Sequence, residues 1–223
     1  MSDTSTPFEQ RLNAIRDRMR IISNVSSPGE AEVEIPQVSR TDELRLAREE
    51  RWAEKIPPRW SNWKLSTLPK PLKREAVDWM VSDYPKGRNL ILMGPTGSGK
   101  TSIAYAIARE MFINGSKVKI WQSADLLDKI RPSDSSRTVL ESAKNCELLV
   151  LDDLGVEKDT EWTEERMFLI LDHRWQWNLP TIIATNLSED GMAERLSDRI
   201  YSRIHDGAKI LVIQGKDYRH ESS

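Results

Sequence analysis

Residues 94–101 read Gly94-Pro95-Thr96-Gly97-Ser98-Gly99-Lys100-Thr101, between an apolar run at 89–93 and a segment of helical character at 100–113. Glycines here let the backbone curl, so that several N–H groups and a helix N-terminus converge on phosphate oxygens. In this context we expect Lys100 to reach the β- and γ-phosphates of ATP and the Thr101 hydroxyl to hold Mg²⁺. The loop, with Ser102 directly behind it, is therefore predicted to bind ATP or ADP.

The pattern around the loop alternates between strands and helices. Apolar runs predict five strands, at 89–93, 118–121, 148–151, 181–185 and 209–213. Helical segments precede or separate them, at 72–83, 100–113, 123–130, 135–144, 163–177 and 188–205. Such alternation is typical of an open parallel sheet that is covered by helices on both faces. The predicted fold class is therefore α/β, with a five-stranded parallel sheet between helices.

Two adjacent carboxylates, Asp152 and Asp153, follow the apolar run at 148–151. In an open α/β sheet, ligands bind at the carboxyl ends of the strands. Adjacent carboxylates repel each other unless a cation is present, which favours a functional site over a solvated pair. We expect Asp152 to bind Mg²⁺ through water and Asp153 to act as the general base toward the attacking water.

Asn186 occupies the corresponding position after the run at 181–185. A neutral amide there can orient water against the γ-phosphate, although an Asn after a strand is usually a turn or helix-cap residue. Its place in the order, after the loop and the paired acids, favours the role in ATP hydrolysis.

Three arginines, Arg195, Arg199 and Arg203, recur every fourth residue in the last predicted helical segment. This spacing predicts that they share one helix face. An arginine on such a face can be offered to a nucleotide held by a neighbouring subunit, where it stabilises charge during phosphoryl transfer. The alternative is a surface stripe that is paired with Glu194 and Asp198, and the spacing alone does not decide between the two.

The first part of the chain has a different pattern from the rest. Apolar residues at helical spacing predict an amphipathic helix at 8–22, and a stretch rich in Ser and Pro at 23–39 is typical of a linker. A second helix is expected at 41–55. The predicted domains are a helical N-terminal arm with its linker, 1–55, and an ATPase domain, 56–223.

Composition limits the classes of function. The 223 residues carry a formal net charge of −2 at pH 7, so bulk positive charge does not draw this protein to nucleic acid. One cysteine, Cys146, excludes a disulfide framework, and no apolar run reaches the roughly 20 residues that span a bilayer. The protein is therefore expected in the cytoplasm. Any DNA contact would come from a local basic patch. The candidate residues are Lys117, Lys119, Lys129, Arg131 and Arg137. A solvent-exposed basic face without a DNA partner explains them equally well.

Taken in order, these motifs resemble those of the DnaC-type helicase loaders and IstB-type transposition ATPases, which form one branch of the AAA+ class. The resemblance covers residues 56–220. It implies an AAA+ P-loop NTPase without a full C-terminal lid. The motifs that carry it are Ile56-Pro57-Pro58-Arg59-Trp60, the loop at 94–101, Asp152-Asp153-Leu154-Gly155, Thr185-Asn186-Leu187-Ser188, Asp198-Arg199-Ile200-Tyr201-Ser202-Arg203 and Gly215-Lys216-Asp217-Tyr218-Arg219.

The resemblance also implies roles for individual residues. Arg203 is similar to the family's arginine finger, with Arg199 assisting at the same subunit boundary, and Arg219 matches the sensor-2 arginine near the nucleotide. The Pro-Pro-Arg segment at 57–59 resembles one that lies against the adenine base. Asp217 departs from the pattern, because a Ser is more usual there, and an acid at this position could weaken phosphate binding.

The activity implied is Mg²⁺-dependent ATP hydrolysis that loads a ring-shaped, hexameric DnaB-type replicative helicase onto single-stranded DNA. ATP would bridge two subunits, so the ATP-bound protein is expected to be a homo-oligomer. The N-terminal arm would grip the helicase. Two alternatives stay open: an IstB-type regulator of transposition on double-stranded DNA, and a stand-alone nucleotide-binding switch that leaves the arginines without a role.

Overall fold

Five parallel strands form the centre of the computed structural model, which describes residues 40–132, 136–155 and 160–214. The strands are β1 (Leu90–Met93), β2 (Val118–Gln122), β3 (Leu148–Asp152), β4 (Thr181–Thr185) and β5 (Lys209–Val212). They lie in the order β2-β3-β4-β1-β5, with parallel pairing throughout. The five-stranded parallel sheet predicted from the sequence is thereby confirmed, with strand bounds within about one residue of those expected.

Helices surround the sheet. Those described are α1 (Arg40–Lys55), α2 (Pro58–Ser61), α3 (Lys70–Asp78), α4 (Lys100–Ile113), α5 (Ser123–Lys129), α6 (Ser136–Asn145), α7 (Glu161–Gln176), α8 (Glu189–Arg195) and α9 (Asp198–His205). Short 3-10 turns at Leu65–Thr67 and Tyr84–Lys86 and a π-helical turn at Trp79–Asp83 complete this set. None of the helices in the described part of the chain has the length and apolar character needed to traverse a bilayer.

The two faces of the sheet carry separate hydrophobic clusters, because successive side chains of a strand point to opposite faces. Leu92 and Val150 lie in the cluster that α4 covers through Ile103 and Ile107. The opposite cluster contains a row of paired residues from three strands and is covered by residues of α5 to α9. That row consists of Leu151, Ile183 and Ile91. Burial on both faces explains why the strands appear in the sequence as continuous apolar runs.

Helix α1 packs directly on the sheet-covering helix α4. Trp52 is 3% exposed and belongs to the same cluster as the α4 residues, while its Nε1 donates to the Ser61 carbonyl at 3.1 Å. Arg48 also donates to the carbonyl of Ile113, the last residue of α4, at 3.3 Å. Helix α1 thus packs against the sheet through α4, although it lies before residue 56, where the sequence predicts a domain boundary. The predicted helix at 8–22 and linker at 23–39 lie outside the described residues.

The segment predicted as one helix at 72–83 is divided in the structure. Helix α3 ends at Asp78, and the chain continues as the π-helical turn. Residues five apart are separated by about 140° around an α-helix, but a π-helical turn brings them closer to one face. Trp79 and Tyr84 are both buried, with ring centroids 5.7 Å apart. The wider turn therefore lets both aromatic rings enter the core.

The last helical segment, predicted at 188–205, contains two helices. Helix α8 ends at Arg195 and α9 begins at Asp198, and between them Leu196 and Ser197 have extended ψ angles of 144° and 150°. Leu196 packs against the hydrophobic cluster on this face of the sheet, and the two extended residues take α9 out of the helical register of α8. The prediction that Arg195 shares a helix face with Arg199 and Arg203 is therefore wrong.

Candidate active site

The loop between β1 and α4 has a backbone shape that glycine makes possible. Gly99, the residue directly before α4, has a φ of 95°, which side chains other than glycine rarely adopt. A Cβ at Gly94 would overlap the carbonyl oxygen of Ile213, just beyond β5. Helix α4 therefore begins directly behind a tight loop, and its first backbone N–H groups lack intrahelical partners, as at every helix start.

Lys100 joins this loop to the end of β4. Its side chain is 5% exposed, and its ammonium donates to the carbonyls of Gly94 and Pro95 at 2.7 and 2.8 Å. It also donates to Oδ1 of Asn186 at 2.7 Å. The structure thus brings together Lys100 and Asn186, two predicted site residues that are 86 positions apart in the sequence.

Thr101 and Asp152, the two predicted Mg²⁺ ligands, are also adjacent. The Thr101 hydroxyl lies 3.1 and 3.0 Å from the two carboxylate oxygens of Asp152, which is 4% exposed at the end of β3. Burial, and secondly the charge of Asp153, raise the pKa of the Asp152 carboxyl. A cation beside this carboxylate would offset both effects.

The oxygen ligands offered by Thr101 and Asp152 fit Mg²⁺ that is bound together with ATP. Throughout residues 40–132, 136–155 and 160–214, no group of three or more His, Cys, Asp or Glu side chains is arranged to hold a metal. At the Thr101–Asp152 contact, the protein would contribute a hydroxyl and a carboxylate. Mg²⁺ ordinarily keeps several waters and takes its remaining oxygens from phosphates, so this small protein contribution suits it.

The turn that follows β3 holds Asp153 in a left-handed conformation. Its φ is 55°, which is uncommon for a residue other than glycine. Bonds to the neighbouring strand secure the turn: the Leu154 N–H donates to the Ala184 carbonyl at 3.1 Å, and the Thr185 hydroxyl donates to the Leu154 carbonyl at 2.8 Å. Asp153 therefore stands beside Asp152 on a constrained segment, between the ends of β3 and β4.

An aromatic stack that the sequence motifs did not predict lies beside the loop. Tyr105, one helical turn beyond Thr101, stacks on Trp60 with ring centroids 5.4 Å apart and planes at 20°. Arg59 lies over the Trp60 ring, with its Cζ 5.4 Å from the ring centroid. Burial, and then the charge of Asp152, raise the pKa of Tyr105. The segment expected to face adenine thus packs on the helix behind the loop, and the four-residue spacing from Thr101 was the available sequence signal.

Arg199 and Arg203 are held on α9 by partners on α7. Arg199 donates to Oε1 of Glu164 at 3.0 Å, and Arg203 donates through Nε to Oδ1 of Asp172 at 2.7 Å. Their guanidinium carbons lie 4.5 Å from the ring centroid of Phe168 and 4.1 Å from that of Trp175, respectively; both rings also belong to α7.

These arginines are not brought to the loop of their own chain. The Asn89 side chain donates to the carbonyls of Arg203 and Ile204 at 3.3 and 3.1 Å, which fixes the end of α9 beside the start of β1. The loop follows the other end of β1, about 13 Å further along the strand at about 3.3 Å per residue. Helix α9 also packs on the face of the sheet opposite α4.

The remaining candidates do not form one site. All five candidate DNA contacts are exposed, and they are distributed over β2, α5, α6 and the adjoining turns. Arg131 pairs with Asp128 at 3.4 Å and lies over the ring of Trp162, 5.5 Å from its centroid. Arg219 and Asp217 lie outside the described residues. The five exposed residues are Lys117, Lys119, Lys129, Arg131 and Arg137.

Comparison with known proteins assigns the family. A family model described as IstB-like ATP binding protein matches residues 75–223. The chain belongs to this family. The phosphate-binding loop, the paired acids, Asn186 and both α9 arginines all fall within the matched segment. The family resemblance stated from the sequence motifs, and with it the ATP-binding AAA+ P-loop fold, is confirmed.

The chain is also similar to proteins named as helicase loaders. The chain is 31% identical over 130 residues to the replicative helicase loader DnaC of Escherichia coli strain K12, covering 56% of this chain and 53% of that protein. It spans about half the length of the curated relatives it matches. A crystal structure of the DnaC helicase loader has a TM-score of 0.62 at 26% identity, covering 71% of this chain and 100% of that chain. The crystal structure of DnaI has a TM-score of 0.64 at 25% identity, and the match covers 72% of this chain and 95% of that chain.

Proposed function

We propose that this protein is an ATPase that loads a ring-shaped replicative helicase onto single-stranded DNA during DNA replication. The observation that carries the proposal is that motifs distant in sequence meet at one edge of the sheet, through the Lys100–Asn186 and Thr101–Asp152 contacts. Similarity to proteins named as replicative helicase loaders supports the loading role.

The loop at 94–102 would bind the phosphates of ATP. Its backbone N–H groups and those of α4 would donate to phosphate oxygens. The Ser98 hydroxyl supports this role, because its Oγ is buried without a hydrogen-bond partner among the described residues. A buried hydroxyl of this kind is costly unless a ligand satisfies it. On ATP binding, the Lys100 ammonium would give up its hydrogen bonds to the carbonyls of Gly94 and Pro95 and donate instead to the β- and γ-phosphates.

The carboxylates would divide the chemistry of hydrolysis between them. Thr101 and Asp152 would hold Mg²⁺, the carboxylate acting through water. Bound Mg²⁺ neutralises phosphate charge and polarises the phosphoryl oxygens. Asp153 would accept the proton of the attacking water, and the Asn186 amide would orient that water by donating to it. Arg219 is proposed to contact the nucleotide of the same chain.

Arg203, with Arg199 beside it, would act on the ATP of a neighbouring subunit. The distance of about 13 Å along β1 and the placement of α9 on the face opposite α4 both support action in trans. An arginine finger contributes a factor of roughly 10³–10⁵ to the rate of phosphoryl transfer. ATP would therefore stabilise a homo-oligomer, and hydrolysis would release it.

Mixing two inactive variants tests this arrangement. Lys100→Ala removes nucleotide binding but retains Arg203, whereas Arg203→Ala binds nucleotide but lacks the finger. We expect each alone to lose turnover and their mixture to regain a part of it, because one variant supplies Arg203 to ATP held by the other. The matched control mixes Arg203→Ala with the double variant lacking both side chains. A mixture no more active than this control contradicts action in trans.

Residues 1–39 are proposed as the arm that holds the helicase, with the ATPase body beginning at α1. The test is a pull-down with the full chain and with a chain that starts at residue 40, which keeps Trp52 in the core. Capture of a replicative helicase by the full chain, lost on truncation, is the expected result. Capture of a transposase instead would overturn the loader proposal in favour of a transposition regulator. Binding of labelled single- and double-stranded DNA with ATP distinguishes the same two activities.

A further inference from the structure

The side chain of Arg203 is held on two sides by residues of α7. Its Nε donates to Oδ1 of Asp172 at 2.7 Å, and its guanidinium lies over the ring of Trp175, with Cζ 4.1 Å from the ring centroid. The Arg203 and Asp172 side chains are 29% and 19% exposed, so this contact is partly shielded from solvent. A shielded ion pair and a cation–π contact each resist rotation of the guanidinium more than an exposed pair does.

The two residues that hold Arg203 are themselves fixed. Gln176 donates to the second oxygen of Asp172, Oδ2, at 2.6 Å, which orients the carboxylate. Trp175 donates from Nε1 to Oδ2 of Asp206 at 2.7 Å, which orients the indole ring. We call Asp172, Trp175, Gln176 and Asp206 the Arg203 cradle. Asp206 follows α9 and the other three lie in the last turns of α7, so the cradle joins the two helices.

The cradle holds Arg203 by one edge of its guanidinium only. Within the described part of the chain, Nε has a hydrogen-bond acceptor, whereas neither Nη1 nor Nη2 has one. The edge formed by the two Nη atoms can donate two parallel hydrogen bonds to a phosphate. Arg199 differs: it uses both Nε and Nη2 on Glu164, at 3.2 and 3.0 Å, and its side chain is 51% exposed.

We propose that Asp172 and Trp175 are positioning residues that hold Arg203 ready for a phosphate of a neighbouring subunit's nucleotide. This inference rests on the proposed action of Arg203 in trans and assigns that role to Arg203 rather than Arg199. A long arginine side chain loses rotational freedom when it binds, which lowers affinity. The cradle restricts Arg203 before the subunits meet, so less freedom is lost at the moment of binding. Because both Nη atoms stay available, Arg203 reaches phosphate without breaking its bond to Asp172.

The test replaces the two cradle residues that contact Arg203 and measures turnover separately from ATP binding. Asp172→Asn keeps an acceptor but removes the charge, and Trp175→Leu removes the aromatic face. At protein concentrations that saturate assembly, we expect either change to lower kcat on the order of tenfold, because misplaced catalytic groups lose much of their effect. The KM for ATP should change less than about twofold, since Arg203 does not touch the ATP of its own chain.

Matched controls lie on and beside the same helix. Glu165→Gln removes an α7 carboxylate whose side chain is 56% exposed, and Trp177→Leu removes an indole that is 67% exposed, two residues beyond Trp175. Both are expected to leave kcat unchanged. Midpoints of thermal unfolding identify any variant whose loss of activity comes from loss of folded protein.

Combining changes separates failure of this inference from failure of the proposed function. In an Arg203→Ala background, Asp172→Asn is expected to cause no further loss, because the residue acts through Arg203. If Arg203→Ala abolishes turnover but Asp172→Asn leaves it unchanged or raises it, the cradle does not position Arg203 and the proposed function stands. If Arg203→Ala leaves turnover unchanged, action in trans is refuted, and the role of the cradle with it.

Discussion

Arg174 is expected to be a side chain whose loss strongly weakens the fold without touching the nucleotide site. It lies in α7, is 1% exposed, and its guanidinium is surrounded by backbone carbonyls. Nη1 donates to the carbonyls of Ala143 and Cys146 at 2.9 and 2.8 Å, and Nη2 donates to that of Pro180 at 2.7 Å. Nε donates to the Thr181 hydroxyl at 3.0 Å. Arg174 thus ties the end of α6 to the starts of β3 and β4.

The magnitude follows from the hydrogen bonds that Arg174→Met would remove. A hydrogen bond to a charged group contributes about 1.5–3 kcal/mol, so the three to carbonyls contribute about 4.5–9 kcal/mol. Two of these carbonyls keep a longer contact at 3.5 Å, Pro180 with the Leu149 N–H and Ala143 with Cys146 Sγ, which retains part of that energy. Burial lowers the pKa of the Arg174 guanidinium, which means that the buried charge is itself unfavourable, and its removal offsets part of this cost. We therefore expect a net loss of about 3–5 kcal/mol in the free energy of unfolding.

For a protein of this size, 1 kcal/mol shifts the unfolding midpoint by about 2–4 °C, so Arg174→Met should lower it by about 6–20 °C. Thermal and urea unfolding, without nucleotide, measure the effect. The control is Arg166→Met on the same helix. The Arg166 side chain is 32% exposed, and its replacement is expected to change the free energy of unfolding by less than about 0.5 kcal/mol. An Arg174→Met midpoint within about 2 °C of the unchanged chain would refute the reasoning.

Two further changes test the site and the extent of the domain. Burial and Asp153 raise the pKa of Asp152, so the charged carboxylate destabilises the nucleotide-free fold above that pKa and ceases to do so as pH falls through it. Asp152→Asn should therefore raise the unfolding midpoint at neutral pH, with a smaller gain near about pH 4, and a lowered midpoint at neutral pH would contradict this. Trp52→Ala should lower the free energy of unfolding, measured in urea, by about 3–5 kcal/mol, because Trp52 is 3% exposed. A loss below about 1 kcal/mol would show that α1 is not part of the core.

The strands and the nucleotide loop were predictable because their signals are local. Burial on both faces makes each strand a continuous apolar run, and the loop carries its glycines, Lys100 and Thr101 in one short segment. The carboxyl ends of parallel strands must meet at one edge. The prediction that Asp152 and Asn186 lie near the loop follows from that rule, and the contacts of Lys100 and Thr101 with them agree with it.

Helix bounds were less predictable where capping or packing overrides periodicity. Helix α7 begins two residues before the predicted start at 163, because Thr160 caps it and exchanges hydrogen bonds with Thr163. A threonine pair of this kind lacks the Glu or Gln that makes a capping box easy to identify. The four-residue spacing of the arginines suggested one helix face, but the extended residues Leu196 and Ser197, the first packed on the core, interrupt it.

By itself, the sequence determined the sheet, the loop and the residue types proposed to surround ATP, because each depends on neighbours a few positions away. Only the tertiary structure decided which groups hold the arginines. Two of the carbonyls that Arg174 holds, those of Ala143 and Cys146, lie 31 and 28 positions away at the end of α6, and the partner of Arg203 lies 31 positions away on α7. Pairing across such separations depends on how the helices pack on the sheet, and no periodicity along the chain encodes it.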